Sequence, residues 1–140
     1  MVRISNLDII KILREDGRRP LLDIARELNV SETAVRKRVK NMEKQGIIKK
    51  YTLYADPKKI GFEIDALIGI DTKPELYLSM LEKLKKDERV LTMCSSSGDH
   101  MILIECWFKN TNELGLFVKE LQKTAGIIKI CPAIIIEKIK

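Results

Sequence analysis

Six side chains between positions 31 and 44 have the types and the spacing to grip a polyanion: Ser31, Thr33, Arg36, Lys37, Lys40 and Lys44. A lysine ammonium is a point charge suited to phosphate oxygens. Arginine offers a planar fork of donors to phosphate or guanine, and hydroxyls serve either phosphates or base edges. At about 100° per residue, Thr33, Lys37, Lys40 and Lys44 share one side of a helix. Val35, Val39 and Met42 form an apolar stripe opposite, Arg36 flanks the basic side, and Arg38 lies nearer the core edge. A lysine-rich outer face also serves solubility alone, so each lysine is ambiguous by itself and the elements around it must decide.

No other set of residues suggests chemistry. Cys94, Cys106 and Cys131 are odd in number, widely spaced and set in apolar surroundings, and read as buried small hydrophobes rather than disulfides or metal ligands. His100 is the only histidine, with no acid partner near it in sequence, and no glycine-rich phosphate loop occurs. No catalytic residues, no metal site and no cofactor are expected.

Three short helices position the basic side chains. Ser5 and Asp8 form an S-x-x-D start signal for a helix over about 6–15, which Asp16-Gly17 ends. Pro20 helps open a second helix, with Leu21, Ile24, Ala25 and Leu28 at i, i+3, i+4 and i+7. Asn29 tolerates a left-handed turn, and Ser31 is a good N-cap for a third helix. Val30 and Val35 occupy the staple positions on either side of that cap, and Gly46 closes the helix after Gln45. A helix, a tight turn and a second helix with a basic outer face make the helix-turn-helix layout, whose second helix fits the major groove of double-stranded DNA. The run 47–54 then reads as a short strand, a wing or a connection, ended by Asp56-Pro57. Lys49 and Lys50 read equally as phosphate contacts or as strand-edge lysines.

Charge supports this division. Of 140 residues, positions 1–60 hold fifteen Lys and Arg against eight Asp and Glu, a net +7, while positions 61–140 hold eleven against twelve. A basic half joined to a near-neutral half suggests a nucleic-acid binder attached to something else. The basic half lacks the bulky aromatic anchors of a membrane-surface helix, and no apolar run reaches transmembrane length. The chain is expected to be cytoplasmic.

From Phe62 the hydrophobic period changes to two. The order is a strand from 62, a helix over 74–86, strands over 90–97 and 101–108, a helix capped by Asn110 and ended by Gly126, and a strand over 127–139 containing Pro132. Strand, helix, strand, strand, helix, strand is the ferredoxin-like βαββαβ plan, in which both helices cover one sheet face. The other face is expected to carry Leu67, Met93, Leu103 and Trp107, with Ile127 and Ile135, and a homodimer is the simplest way to cover it. The fold class is therefore α+β. A helix-turn-helix domain (1–50) is followed by a linker strand (51–61) and a ferredoxin-like oligomerisation domain (62–140). The expected function is a sequence-specific DNA-binding regulator. The alternative is an architectural, chromatin-like protein that binds DNA through phosphates with little sequence preference.

The chain resembles the Lrp/AsnC ("feast/famine") family of transcription regulators. Leu7-Asp8-Ile9-Ile10-Lys11-Ile12-Leu13 with Asp16-Gly17-Arg18 is similar to the family's opening. Ile24-Ala25 through Ser31, Thr33-Ala34-Val35, Arg38-Val39, Gly46-Ile47-Ile48 and Tyr51 are similar to its helix-turn-helix signature. Gly98-Asp99 and the closing Glu137-Lys138-Ile139-Lys140 are similar to its sensing domain. The resemblance implies a winged helix-turn-helix and dimers assembling into tetramers or octamers. It also implies an amino-acid effector near the loop of Gly98, Asp99 and His100, which adds a sensing role to the ferredoxin-like domain (62–140).

Overall fold

The computed structural model describes residues 4–140, in two compact units that divide between Ala55 and Asp56. Unit 1 is built from α1 (Asn6–Glu15), α2 (Leu21–Leu28) and α3 (Glu32–Lys44). The Ser5 side chain accepts from the Asp8 amide while the Asp8 carboxylate accepts from the Ser5 amide, a reciprocal box that satisfies two donors at the start of α1. Asn29 ends α2 at φ 56°, the left-handed turn a short polar side chain tolerates. Ile9, Ile24, Ala25, Val35, Val39 and Met42 form the core, with Val30 packed against it. Gly46, at φ 74°, turns the chain out of α3.

The run 47–54 forms no strand. Its first two amides, those of Ile47 and Ile48, donate back to the Met42 carbonyl at the end of α3 rather than to a strand, and Ile47, Tyr51, Leu53 and Tyr54 are exposed. Alternating apolar residues make a strand only where another strand can complete the ladder, and unit 1 is otherwise helical. The expected linker strand is instead an irregular segment followed by a 3-10 turn at Pro57–Ile60. Lys49 and Lys50 are exposed, with no strand edge to protect.

Unit 2 is a four-stranded antiparallel sheet in the order β2-β3-β1-β4. Its elements are β1 (Ile64–Thr72), α4 (Tyr77–Lys85), β2 (Val90–Ser95), β3 (Ile102–Phe108), α5 (Thr111–Gln122) and β4 (Ile127–Ile134). Ile64, Ala66, Ile68 and Ile70 of β1 lie beside Phe108, Cys106, Ile104 and Ile102 of β3, and this face packs on Met80, Leu84, Leu114, Phe117 and Leu121 of the helices. Pro132 sits on β4, an edge strand, where its missing N–H interrupts no central ladder. The last strand stops at Ile134 rather than continuing to 139. Helix α5 ends at Gln122, four residues before Gly126, which at φ 89° turns the chain into β4 instead.

Two bulges change which residues face outward. Between Val90 and Thr92 the β2–β3 register shifts by one, leaving Leu91 unpaired, so Met93 lies opposite Ile104 and packs into the core. A second shift, between Asp71 and Thr72, leaves Ile128 unpaired and turns Ile127 to the core side. A single extra residue reverses the two-residue alternation beyond it, so strict alternation places both side chains on the wrong face. Leu67, Leu103 and Trp107 do occupy the outer face, with the Phe62 ring 5.9 Å from that of Trp107. Of the cysteines only Cys106 is buried, and burial pushes its thiol up to about 12, leaving it unreactive. Cys94 is exposed and Cys131 half-buried, so neither is the core residue its apolar neighbours suggest. Among the described residues no helix is long and apolar enough to cross a membrane.

Candidate nucleic-acid interface

Helix α3 begins where the sequence requires. The Ser31 hydroxyl accepts from the Ala34 amide at 3.1 Å, satisfying one of the donors a helix start leaves open. Val35, Val39 and Met42 are buried, while Thr33, Arg36, Lys37, Lys40 and Lys44 are exposed. All of these expected contact residues thus lie on one helix, with the lysines directed away from the core. Among the described residues, Lys37, Lys40 and Lys44 enter no ion pair with a carboxylate. Arg36 differs, because its Nη2 is paired with Glu32 one turn earlier. Arg38 is half-buried and serves structure: its Nη1 donates to the Asn6 side-chain oxygen at 3.1 Å, fixing α3 against the start of α1.

Spacing toward the centre of the basic face passes over two amides. Lys37, Asn41 and Gln45 line a cavity of about 400 Å³ together with Asn6, Ala34 and Arg38. Asn41 lies only about 40° round the helix from Lys37. That offset is legible in the sequence, but the cavity is not, because it needs the start of α1 beside α3. Side-chain amides are donor–acceptor pairs that match the major-groove edge of adenine.

The second candidate site is the loop between β2 and β3. Gly98 and Asp99 are exposed in it, and the Ser96 amide donates to the Met101 carbonyl at 3.0 Å. His100 does have an acid partner, contrary to its isolation in sequence. Its Nδ1 lies 3.0 Å from Asp71 Oδ2, and Asp71 Oδ1 accepts from the Met101 amide at 2.9 Å. The hydrogen bond from His100 is the chief reason the Asp71 carboxyl is held below the ordinary carboxylate range. The imidazole lies against Gly69, where a Cβ would overlap the ring. One carboxylate on β1 thus holds both the histidine and the end of the loop, and Asp71 and Gly69 are the residues that local spacing misses.

The outer sheet face also carries an acidic pair. Lys138 Nζ lies 3.5 Å from Asp65 and 3.2 Å from Glu105. Burial, then the neighbouring Glu105 charge, raises the Asp65 carboxyl above its usual range. Among the described residues no group of three or more His, Cys, Asp or Glu stands ready to hold a metal ion.

Comparison with known proteins agrees with this arrangement. Residues 3–49 match the family described as winged helix-turn-helix DNA-binding. The chain is 45% identical over 133 residues to the HTH-type transcriptional regulator LrpA of Pyrococcus horikoshii, covering 94% of each chain. It has the same identity and coverage with LrpA of Pyrococcus abyssi. Among solved structures it matches E. coli AsnC with a TM-score of 0.76 at 25% identity, over 99% of this chain and 95% of that one. It also shares the fold of a Neisseria meningitidis transcriptional regulator in complex with L-methionine, with a TM-score of 0.83 at 20% identity, over 99% and 93% of the two chains.

Proposed function

This chain belongs to the Lrp/AsnC family of helix-turn-helix transcription regulators, which are not enzymes, and from that premise we propose that it regulates transcription by sequence-specific DNA binding as a symmetric oligomer. The observation that carries the reading is the exposed basic face of α3 opposite a fully buried apolar stripe. Thr33, Arg36 and Lys37, in the first two turns, reach base edges in the major groove. Lys40 and Lys44, further along, meet phosphates, and Ser31 caps the helix at the groove entrance.

The apolar outer face of the unit 2 sheet, with Leu67 42% exposed, supports a second copy as its cover. A two-fold dimer presents two reading helices to half-sites about one helical turn, or a multiple of it, apart. The complex of the meningococcal regulator with L-methionine supports an amino acid as effector. Gly98, Asp99 and His100 form the loop it would meet, with Asp99 offering a carboxylate to the ammonium.

Selection from a pool of randomised duplexes tests the reading. A shared motif with two-fold symmetry is expected to emerge. A pool that stays random while binding remains strong would instead indicate an architectural protein that holds phosphates alone. Light scattering of Leu67→Glu tests the assembly, with dissociation to a smaller species expected.

A further inference from the structure

Among the described residues, Arg36 is the one cation on the exposed part of α3 that is already paired with a carboxylate, and the geometry of that pair is informative. Glu32 and Arg36 are one turn apart, with the acid N-terminal, the favourable order for such a pair along a helix. Both side chains remain substantially exposed, at 39% and 51%, so burial does not force the contact. Glu32 Oε1 takes one N–H of Arg36 Nη2. A guanidinium has five N–H donors, so four remain for another acceptor.

We propose that Glu32 is a positioning residue, holding the Arg36 guanidinium as a fork for the O6 and N7 edge of a guanine. The inference rests on α3 being the groove helix. One observation and two physical arguments point to it. The pair sits in the first two turns of α3, the part of a reading helix that meets bases. A bidentate arginine is the commonest reader of guanine, and fixing its plane in advance lowers the entropy lost when it binds. A carboxylate beside a phosphate lattice is repelled. Were Arg36 to leave Glu32 for a phosphate, that charge would stand alone against the DNA. Retaining the pair and turning the remaining donors to a base avoids the charge separation.

The test uses full-length protein and the duplex recovered by selection, with each guanine replaced in turn by 7-deazaguanine, which lacks the N7 acceptor. For the unaltered protein, one guanine per half-site is expected to show a loss of affinity on the order of tenfold. In Glu32→Gln that loss should shrink while affinity for a scrambled duplex rises a few-fold, because a negative charge has gone. Arg36→Lys keeps an ion pair with Glu32 but has no fork, and should lose the same sensitivity. Circular dichroism establishes that both variants fold. A Glu32→Gln protein that keeps the full 7-deazaguanine penalty, or a site in which no guanine carries one, overturns the assignment. Lys37→Ala separates the role of Glu32 from the placement of the helix. Weakened binding by Lys37→Ala with an unchanged Glu32→Gln penalty refutes only the role of Glu32. Unchanged binding by Lys37→Ala refutes the placement of α3 in the groove.

Discussion

Gly69→Ala should change sign according to whether His100 is present. Gly69 lies in the middle of β1 on the outer sheet face, and it is not among the residues with positive φ. Alanine is therefore unstrained by the backbone, and in a strand it should stabilise by roughly 0.5–1 kcal/mol through a less flexible unfolded chain. Against this, the added Cβ would overlap the His100 imidazole, and the side chain must yield. Moving the ring breaks its 3.0 Å hydrogen bond to Asp71. A hydrogen bond to a charged group contributes about 1.5–3 kcal/mol. The Asp71 bond to the Met101 amide stays, so the loop keeps one of its two ties. The difference is a destabilisation of about 0.5–2.5 kcal/mol, or a melting temperature lower by roughly 2–20 °C for a unit of this size. The assay is thermal unfolding, at one protein concentration, of Gly69→Ala, His100→Ala and the double variant. In the His100→Ala background the overlap is gone, and Gly69→Ala should be neutral or stabilising. Equal destabilisation in both backgrounds would refute the idea that the ring is what the methyl meets.

Other substitutions probe other parts of the molecule. Ser31→Ala removes the side chain that accepts from the Ala34 amide and should cost about 1 kcal/mol in the stability of unit 1, read by chemical denaturation. Phe117→Ala empties a fully buried site beside Phe108 and should cost about 3–5 kcal/mol, seen in the melting of unit 2. Because the folded-state pKa of Asp71 is depressed, its stabilisation is present above the unfolded carboxylate value of about 3.9 and is lost as pH falls through the folded value. The stability gap between the unaltered protein and Asp71→Asn should therefore shrink as denaturation curves are taken from neutral to strongly acidic pH. Lys44→Ala should lower the slope of log affinity against log salt by about 0.9 for each phosphate that Lys44 neutralises, measured by anisotropy.

The helical half is the more legible in sequence because its signals are local. Ser5, Asn29, Ser31 and Gly46 each fix a helix end through a hydrogen bond or a backbone angle that involves residues within a few positions. The side chains proposed for the groove follow from one helix and its 3.6-residue period. The strands are less legible because register is set by partners far away in sequence. Alternation assigns Met93 and Ile127 to the outer face, yet both lie on the core side, because Leu91 and Ile128 are bulged residues that no composition marks. The segment 47–54 has a strand's residues without a strand's partner. His100 looks isolated in sequence, yet its acid is Asp71, 29 positions earlier, brought near by the pairing of β1 with β3. Such a contact exists only once the topology does.

Whether α3 reads DNA sequence, rather than only DNA charge, comes down to one ratio. The affinity for the selected duplex, divided by that for a scrambled duplex of equal length, should be measured at two salt concentrations for the unaltered protein and for Lys37→Ala. A large ratio that survives the higher salt is expected for the unaltered protein, because base contacts release few counterions, and a reduced ratio for Lys37→Ala. A ratio near one at both salts, with the two affinities falling together, would mean that α3 holds phosphates and reads nothing.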